Sequence, residues 1–219
     1  MTGQLILVVL GKQGAGKGTQ SELLCSRYGL AHISTGDILR AAIQAGSPLG
    51  LEVKSVLAAG ELVSDDLVNK LVEDRFKDPD TAQGAVLDGF PRNTAQAQAL
   101  ERILGEGGVK LCIYLDLANA LVIQRLSSRR VCQECGTVYK DSDPSAISGT
   151  CEKCGGDVVQ RDDDTPEAIA TRLETFERET FPLLSFYESR DLLVKVNGDQ
   201  LVEKVSADID ELLHGRGLA

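Results

Sequence analysis

A glycine-rich segment, Gly11 to Thr19, constrains the fold more than any other part of the chain. It follows an apolar run, Leu5–Leu10, that is typical of a buried strand, and it leads into Thr19–Tyr28, which has the pattern of a helix. Glycines let backbone N–H groups approach an anion closely, the N-terminus of a helix adds a partial positive charge, and Lys17 adds a full one. The sequence therefore predicts a strand, a phosphate-binding loop and a helix in succession.

This loop departs from the commonest phosphate-loop pattern at one place. That pattern ends in Gly-Lys followed by Ser or Thr, whereas here Gly18 follows Lys17 and Thr19 comes one residue later. The displaced hydroxyl is a poorer direct ligand for magnesium and indicates a particular branch of phosphate-loop proteins. A flexible glycine turn between two elements is the alternative, and it is disfavoured because the glycines, the lysine, the strand and the helix all agree.

Apolar runs and helical patterns alternate along the chain. The candidate strands are Leu5–Leu10, Ala31–Ile33, Ala85–Leu87, Leu111–Leu115 and Leu192–Val196. Helices are expected at Thr19–Tyr28, Thr35–Ala45, Leu51–Ala59, Asp65–Phe76, Thr94–Leu104 and Leu121–Arg130, from Thr165 to Arg190 with a bend near Pro182, and at Gln200–Leu213. This alternation predicts an α/β fold with a five-stranded parallel sheet covered on both faces. The helices after the second strand are expected to form an inserted lobe.

Composition narrows the classes of function. The chain has 219 residues, 42% of them hydrophobic, which is enough for a substantial core. It has no apolar run of the roughly 18 residues that a membrane span needs, and no basic segment at the N-terminus, so we expect neither a membrane protein nor a secreted one. A formal charge of −10 and only 4% aromatic residues disfavour nucleic-acid binding.

Four of the six cysteines form two close pairs in a segment, Val131 to about Asp164, that shows no regular periodicity. Each pair has the spacing C-x-x-C, 15 residues separate the pairs, and glycine follows each pair; the cysteines are Cys132, Cys135, Cys151 and Cys154. Two such turns can close a tetrahedral site, and four thiolates leave no open position, so the pattern predicts a structural metal, zinc before iron. Two disulfides, or free thiols, are the less favoured alternative in a chain with no secretion signal.

Arginines cluster near the ends of the predicted strands and around the cysteine segment. Arg40 and Arg92 follow strands, and parallel sheets bind ligands at the carboxyl ends of their strands. Arg125 and Arg129, four residues apart, are expected to share one face of the helix that enters the segment. Arg130 lies on the same helix, and Arg161 and Arg172 flank the exit. Moving a phosphoryl group between polyanions requires such cations, whereas any one arginine alone is more often a solvated surface charge.

The acidic run Asp162-Asp163-Asp164 is compatible with two interpretations. It could be a solvated stretch whose charge favours the helix start at Thr165. Alternatively, its carboxylates could bind a nucleotide sugar or pair with an arginine. The sequence favours neither.

Four segments together give the chain a specific resemblance. They are Gly14-Ala15-Gly16-Lys17-Gly18-Thr19, Ser34-Thr35-Gly36-Asp37 through Arg40, Asp88-Gly89-Phe90-Pro91-Arg92 with Gln96, and Arg129 with the four cysteines and Arg161. In their order and spacing the chain resembles the adenylate kinases, specifically the bacterial type with a long, zinc-bearing lid. The resemblance implies a P-loop NTPase-like core of residues 1–33, 64–127 and 165–219, a lobe for the nucleoside monophosphate at 34–63 and a lid at 128–164. It further implies reversible phosphoryl transfer from Mg-ATP to AMP, giving two ADP and serving purine nucleotide balance, in a cytoplasmic monomer.

The resemblance also implies roles for individual residues. The donor ATP would contact Gly14, Ala15, Gly16, Lys17, Gly18, Thr19, Arg125, Arg129, Val138, Tyr139 and Gln200, the last three near the base. The acceptor AMP would contact Thr35, Arg40, Glu61, Leu62, Val63, Gly89, Phe90, Pro91, Arg92, Gln96, Arg161 and Arg172. Catalysis would rest on Lys17, Arg92, Arg129, Arg161 and Arg172, with Asp88 orienting magnesium-bound water, and the four cysteines would hold Zn²⁺.

Three departures from the family pattern concern the loop and the lid. Lys12-Gln13 replaces the small residue and proline usual in the phosphate loop, Gln200 replaces a common lysine, and the lid middle, Lys140–Thr150, lacks the usual paired prolines. A kinase of the same fold with another acceptor or donor, such as CMP, UMP or GTP, is the first rival, and Thr35 argues against pyrimidine acceptors, whose kinases tend to have Ala there. A nucleic-acid-binding zinc module and a nucleotide sensor without turnover are the rivals from other classes.

Overall fold

The computed structural model of the protein describes residues 4–219 and contains a five-stranded parallel sheet. Its strands are β1 (Leu5–Gly11), β2 (Ala31–Ser34), β3 (Gly84–Asp88), β4 (Leu111–Asp116) and β8 (Leu193–Asn197), in the spatial order β2-β3-β1-β4-β8. The first strand is central, and Leu7 is in register with Val86 on one side and Leu111 on the other. All five predicted strands and the predicted sheet are confirmed, with bounds that shift by one residue at most ends.

The strands were recognisable because both faces of the sheet are buried. Alternate residues of β1 enter different hydrophobic layers: Ile6 and Val8 belong to one cluster, Leu7 and Val9 to the other. A strand that is buried on both faces consists of a continuous apolar run, which is the pattern that the sequence contains.

Helices cover both faces of the sheet. They are α1 (Lys17–Tyr28), α2 (Thr35–Gln44), α3 (Pro48–Ala58), α4 (Asp65–Arg75), α5 (Thr94–Leu104), α6 (Asn119–Ser127), α8 (Pro166–Thr175), α9 (Pro182–Glu188) and α10 (Val202–Gly215). Several begin at the caps that the sequence contains: the Ser34 and Thr165 side chains accept hydrogen bonds from the backbone three residues on, and Pro166 occupies the first turn of α8. Among residues 4–219, no helix is long and apolar enough to cross a membrane.

The helix predicted over Leu121–Arg130 is wrong at its C-terminal end. It ends at Ser127, and Arg129 already lies in a strand, so Arg125 and Arg129 do not share a helix face. The hydroxyl of Ser128 donates to the Gln124 carbonyl, 3.0 Å away, and its own carbonyl accepts from Asp141. The helix ends here for two reasons. The Ser128 carbonyl accepts from a residue outside the helix, and a hydroxyl that bonds to a carbonyl four residues back competes with continuation of the helix.

The cysteine segment folds around a second, small antiparallel sheet. Its strands are β5 (Arg129–Cys132), β6 (Val138–Lys140) and β7 (Val158–Val159), with β5 in the middle, and a short helix α7 (Pro144–Ser148) lies between β6 and β7. Cys132, Tyr139, Cys151 and Val158 form its small buried cluster. The sequence did not predict these strands, because they are short and two of them contain charged residues, so they show neither a periodicity nor a continuous apolar run.

The predicted bend near Pro182 is a π-helical turn, Phe176–Thr180, between α8 and α9. The Phe181 N–H donates to the carbonyl of Phe176, 2.8 Å away and five residues back. Proline has no N–H to donate and its ring crowds the preceding turn, so the helix widens before Pro182 and then continues.

Candidate active site

The phosphate-binding loop connects β1 to α1 and requires glycine at two positions. Gly14 and Gly16 have φ angles of 79° and 97°, a region that residues with a side chain rarely adopt. A Cβ on Gly14 would also come within 3.3 Å of Leu126. The Ala15 N–H donates to the Lys12 carbonyl at 3.1 Å and closes the turn. Gly14 and Gly16, which belong to the predicted phosphate-loop pattern, therefore allow the loop to curl in front of α1.

Lys17 projects from the first turn of α1 back over this loop. Its ammonium donates to the carbonyls of Gly11 and Lys12, at 2.9 and 3.1 Å. Burial lowers the pKa of Lys17 to about 8; Asp88 partly opposes this, and nearby arginines, Arg92 first, reinforce it. A Cβ on Gly18 would lie 3.5 Å from the Asp88 carboxylate, so the end of β3 faces the loop.

Three further arginines carry charges that their surroundings disfavour. Burial lowers the pKa of Arg92 to about 10, and Arg172 lowers it further. Burial likewise lowers the pKa of Arg161 to about 10, with Arg40 and Arg129 as the nearest repelling charges, and it lowers the pKa of Arg172. Cations held this close together stabilise an anion placed between them.

The acidic run partly neutralises this group of arginines. Asp164 is fully buried and binds Arg129 in two places, at 2.8 Å from Nε and 2.6 Å from Nη2. Arg172 contacts the same carboxylate at 3.2 Å and the Asp163 carboxylate at 3.0 Å. Asp162 is exposed. Pairing with arginines is thus confirmed for two of the three aspartates, while Asp162 is the solvated one.

A second set of residues surrounds a pocket between β2, β3 and the inserted helices. The pocket is lined by seven of the residues predicted for the acceptor, together with Leu39, Leu57 and Val68; the seven are Thr35, Glu61, Leu62, Val63, Gly89, Arg92 and Gln96. Phe90 and Pro91 were predicted there too, but the Phe90 side chain is fully buried in the core and Pro91 is buried as well.

Hydrogen bonds fix the polar groups of this pocket. The Thr35 hydroxyl and Arg92 Nε both donate to the Gly89 carbonyl, at 2.9 and 2.8 Å. The Arg92 N–H donates to the Gln96 side chain, which in turn donates to Asp65 at 2.7 Å. Arg40 bonds to Asp37 at the edge of the group.

The sequence did not predict the role of Asp65. Its carboxylate also accepts from Asn93, at 2.9 Å, and so holds the start of α5 against α4. In the sequence this aspartate is one of two acidic residues at a helix start, where such residues are common, so no local signal distinguishes it.

The remaining residues predicted for the donor nucleotide fall in different surroundings. Arg125 donates to the carbonyls of Gly14 and Gly198, at 3.3 and 3.0 Å, and so joins the phosphate loop to the end of β8. Val138 is 54% exposed. The Gln200 side chain donates hydrogen bonds to the Asn197 carbonyl and to the Asp208 carboxylate, so its backbone remains for the predicted contact with the base.

Tyr139 directs its side chain away from the surface. Its side chain is buried in the cysteine segment, and its hydroxyl lies 3.1 Å from the Cys151 sulfur. Only its backbone is available to a base, because the ring fills the small core beneath β6.

The four cysteine sulfurs converge on one point. All lie within 4.8 Å of one another, Cys132 is 3.4 Å from Cys154, and Cys135 is 3.6 Å from Cys151. These separations exceed the roughly 2.05 Å of a disulfide and suit the edges of a tetrahedron around a zinc ion about 2.3 Å from each sulfur. Matching turns build the site, since the Gly136 and Gly155 N–H groups donate to the Cys132 and Cys151 carbonyls. The donor set therefore fits zinc.

Comparison with known proteins identifies the family. A model of the adenylate kinase family matches residues 9–192. An adenylate kinase of Geobacillus sp. (strain WCH70) is 47% identical over 212 residues, covering 95% of this chain and 98% of its own, and one of Lactobacillus gasseri is 48% identical over 211 residues, covering 94% and 97%. An adenylate kinase of Bacillus cereus (strain B4264) is 43% identical over 212 residues, 95% of this chain and 98% of its own. The chain belongs to the adenylate kinase family.

Membership places the chain among the nucleoside-monophosphate kinases, which are phosphotransferases, and agrees with the resemblance drawn from the four motifs. The Lys12 side chain is only 11% exposed, and its ammonium contacts the Leu117 carbonyl and Glu177. Gln13, the next residue, has a buried side-chain oxygen for which the described residues provide no hydrogen-bond partner.

Proposed function

We propose that the protein transfers the terminal phosphoryl group of Mg-ATP reversibly to AMP, giving two ADP. The observation that carries the proposal is a set of buried cations with lowered pKa values: Lys17 over the loop, Arg92 in the pocket beside Thr35, and Arg172, whose charge lowers the pKa of both. A group of cations this unfavourable is stabilised by polyphosphate. Two nucleotides that approach from opposite sides would supply it.

On the donor side, residues 14–19 would hold the β- and γ-phosphates through backbone N–H groups and the Lys17 ammonium. Asp88 would orient water bound to the Mg²⁺ that accompanies ATP, because its carboxylate faces the loop and Thr19 is displaced by one residue. Arg125 would order the loop edge next to the donor, and Val138, Tyr139 and Gln200 would contribute backbone contacts to the base.

On the acceptor side, the pocket would take the AMP base and phosphate. The backbone of residues 61–63 and the Gln96 amide, together with Thr35, would distinguish adenine from a pyrimidine. Arg40 and Arg92 would bind the acceptor phosphate, with the backbone of residues 89–91 beneath it. Two hydrogen bonds support this role: the backbone N–H of Arg92 donates to the Gln96 side chain and fixes the loop, and Arg92 Nε donates to the Gly89 carbonyl and fixes the guanidinium before any ligand arrives.

The chemistry would need no covalent intermediate. The acceptor phosphate is already anionic at neutral pH, so positioning and charge stabilisation are sufficient. Arg129, Arg161 and Arg172 would surround the transferring group opposite Lys17 and Arg92. Asp163 and Asp164 hold two of these arginines in fixed orientations and limit their mutual repulsion.

We further propose that residues 34–63 and 128–164 move against the core as lobe and lid, and that the lid excludes water, which competes with AMP for the phosphoryl group. Cys132, Cys135, Cys151 and Cys154 would hold a structural Zn²⁺ that keeps the lid rigid. We expect a cytoplasmic monomer, as the resemblance to the bacterial adenylate kinases implies.

Product analysis by chromatography tests the proposal. The protein would be mixed with Mg-ATP and, in separate reactions, AMP, GMP, CMP or UMP. We expect ADP formation with AMP only, and the same equilibrium when the reaction starts from ADP. Preference for another acceptor would overturn the assigned specificity but keep the mechanism, and transfer to none of the four would overturn both.

A further inference from the structure

The side chain of Lys12 joins the phosphate loop to two other parts of the core. Its ammonium lies 3.3 Å from the Leu117 carbonyl, in the connection that follows β4, and 3.5 Å from the Glu177 carboxylate, in the π-helical turn. The side chain is 11% exposed, whereas that of Glu177 is 48% exposed. The lysine therefore extends through the protein interior to reach a partner near the surface.

The backbone of the same residue controls the shape of the loop. The Lys12 carbonyl accepts from the Ala15 N–H, which closes the turn, and from the Lys17 ammonium, each at 3.1 Å. A displacement of Lys12 would therefore move both the turn and the charge that we assign to the donor phosphates.

The π-helical turn contacts the acceptor side as well. The Thr180 hydroxyl donates to the Arg92 carbonyl at 2.8 Å, and the Phe176 ring stacks on Tyr114 of β4, with ring centroids 6.5 Å apart. One short segment is thus attached to the central sheet, to the acceptor arginine and, through Glu177, to the phosphate loop. Such widened turns often occur at functional sites.

We propose that Lys12 is a positioning residue for the donor site: its bonds to Leu117 and Glu177 hold the phosphate loop in its nucleotide-binding shape and in register with Arg92. It would supply through side-chain contacts the rigidity that a small residue and a proline provide in the usual family loop. The inference rests on the proposed function, because it takes the loop to be the ATP phosphate site. A direct role for Lys12 as another phosphate-binding cation is the competing interpretation, and the contact with Glu177 opposes it.

A double-mutant cycle separates the two roles. The variants are Lys12→Met, which keeps the apolar stem, Glu177→Gln, and both together. Glu179→Gln is the matched control, since Glu179 lies in the same turn but pairs, within residues 4–219, only with the exposed Arg178. The measurements are kcat, the KM values for ATP and AMP, and the thermal midpoint. We expect Lys12→Met to raise the KM for ATP about 3- to 10-fold and Glu177→Gln about 2- to 3-fold, with the KM for AMP little changed. The double variant should be no worse than Lys12→Met, and Glu179→Gln should match the wild type.

Two outcomes would overturn the proposal. The first is an unchanged KM for ATP in Glu177→Gln, a conservative change at a half-exposed site that leaves the fold intact even if Lys12→Met does not fold. The second is additivity of the two substitutions, which would mean that Lys12 acts on the nucleotide directly. An inactive wild type would instead refute the proposed function, so the two failures are distinguishable.

Discussion

At the scale of single residues, the site keeps several cations charged in surroundings that disfavour charge. Arg92 shows this most clearly, since burial and Arg172 both lower its pKa, and only Asp88 and Asp163 among its near neighbours raise it. A charge that its surroundings disfavour in this way contributes little to the stability of the fold, so we infer that its role is to bind a ligand. The same reasoning applies to Lys17, and both cases can be tested.

Replacement of Arg92 by methionine should abolish turnover without unfolding the protein. An arginine that acts directly on the transferring phosphoryl group contributes about 10³- to 10⁵-fold to the rate. Methionine keeps the apolar stem and removes a charge that the folded state disfavours, so the thermal midpoint should stay within a few degrees of the wild type. Steady-state kinetics and thermal unfolding measured on the same preparation check both parts. Near-normal turnover would remove Arg92 from the catalytic set.

Lys17 should give the ATP dependence of the reaction an alkaline limit. Its pKa of about 8 lies below the ordinary value near 10.4, so the free enzyme loses this charge above pH 8 and binds the donor phosphates less well. We expect kcat/KM for ATP to fall above about pH 8, whereas kcat, which reports the nucleotide-bound enzyme, should hold to higher pH. The effect on stability has the opposite sign. Below pH 8 the buried charge lowers the free energy of unfolding, and between pH 8 and about 10.4 the folded chain has released a proton that the unfolded chain still binds, so this cost is relieved and the free energy of unfolding rises with pH. A kcat/KM for ATP that stays constant to pH 9.5 would contradict the assignment.

At the scale of elements, the strands of the main sheet could be predicted from the sequence, whereas the short strands of the cysteine segment could not. Strands β1 and β4 were predictable because a short, continuous apolar run between turn signals is typical of a strand buried on both faces. Strand β7 has two residues, and the end of α6 depends on the Ser128 hydroxyl, so neither leaves a periodic signal. The phosphate loop and the cysteine pairs were predictable because their chemistry demands fixed residue types at fixed spacing.

We expect the cysteine segment to depend on its proposed metal for stability, because it is small. Its buried cluster has only four members, whereas zinc contributes about 10–16 kcal/mol in peptides of this size. We expect chelation to lower the thermal midpoint by several degrees or more, and to affect the core sheet less than the segment itself. Calorimetry of metal-loaded and metal-depleted protein, with the zinc content measured, checks this. An unchanged midpoint after verified removal would mean that the thiols do not hold a structural ion.

Tyr139 should control how long the metal is retained. Its hydroxyl contacts the Cys151 sulfur, and groups that bond to metal ligands typically contribute 10- to 100-fold to metal affinity. Tyr139→Phe should therefore release zinc about 10-fold faster to a chromophoric chelator. Tyr28→Phe is the control, because it loses a hydrogen bond to Asp210 far from the sulfurs along the chain and should release zinc as the wild type does. Equal release rates in all three proteins would show that the tyrosine only fills space.

At the scale of the whole molecule, one carboxylate connects the small sheet to the core. Asp164 lies where the cysteine segment returns to α8, and it binds Arg129 of β5 and Arg172 of α8 together. No local pattern distinguishes it from Asp162, two residues earlier, because burial depends on how the segment folds back. For this reason the sequence alone could not decide between the two interpretations of the acidic run.

Replacement of Asp164 by asparagine should therefore lower the stability of the protein, whereas Asp162→Asn should not. Removing one partner of a buried ion pair typically costs about 3–5 kcal/mol, and here two arginines, 13% and 11% exposed, would lose their shared counter-charge. Urea unfolding should show a lower midpoint for Asp164→Asn, and turnover should fall because Arg129 and Arg172 are no longer oriented. Asp162→Asn, at an exposed position in the same run, should match the wild type in both measurements. Equal stability of the two variants would mean that the arginines find other partners, and that the connection between the cysteine segment and the core does not depend on this carboxylate.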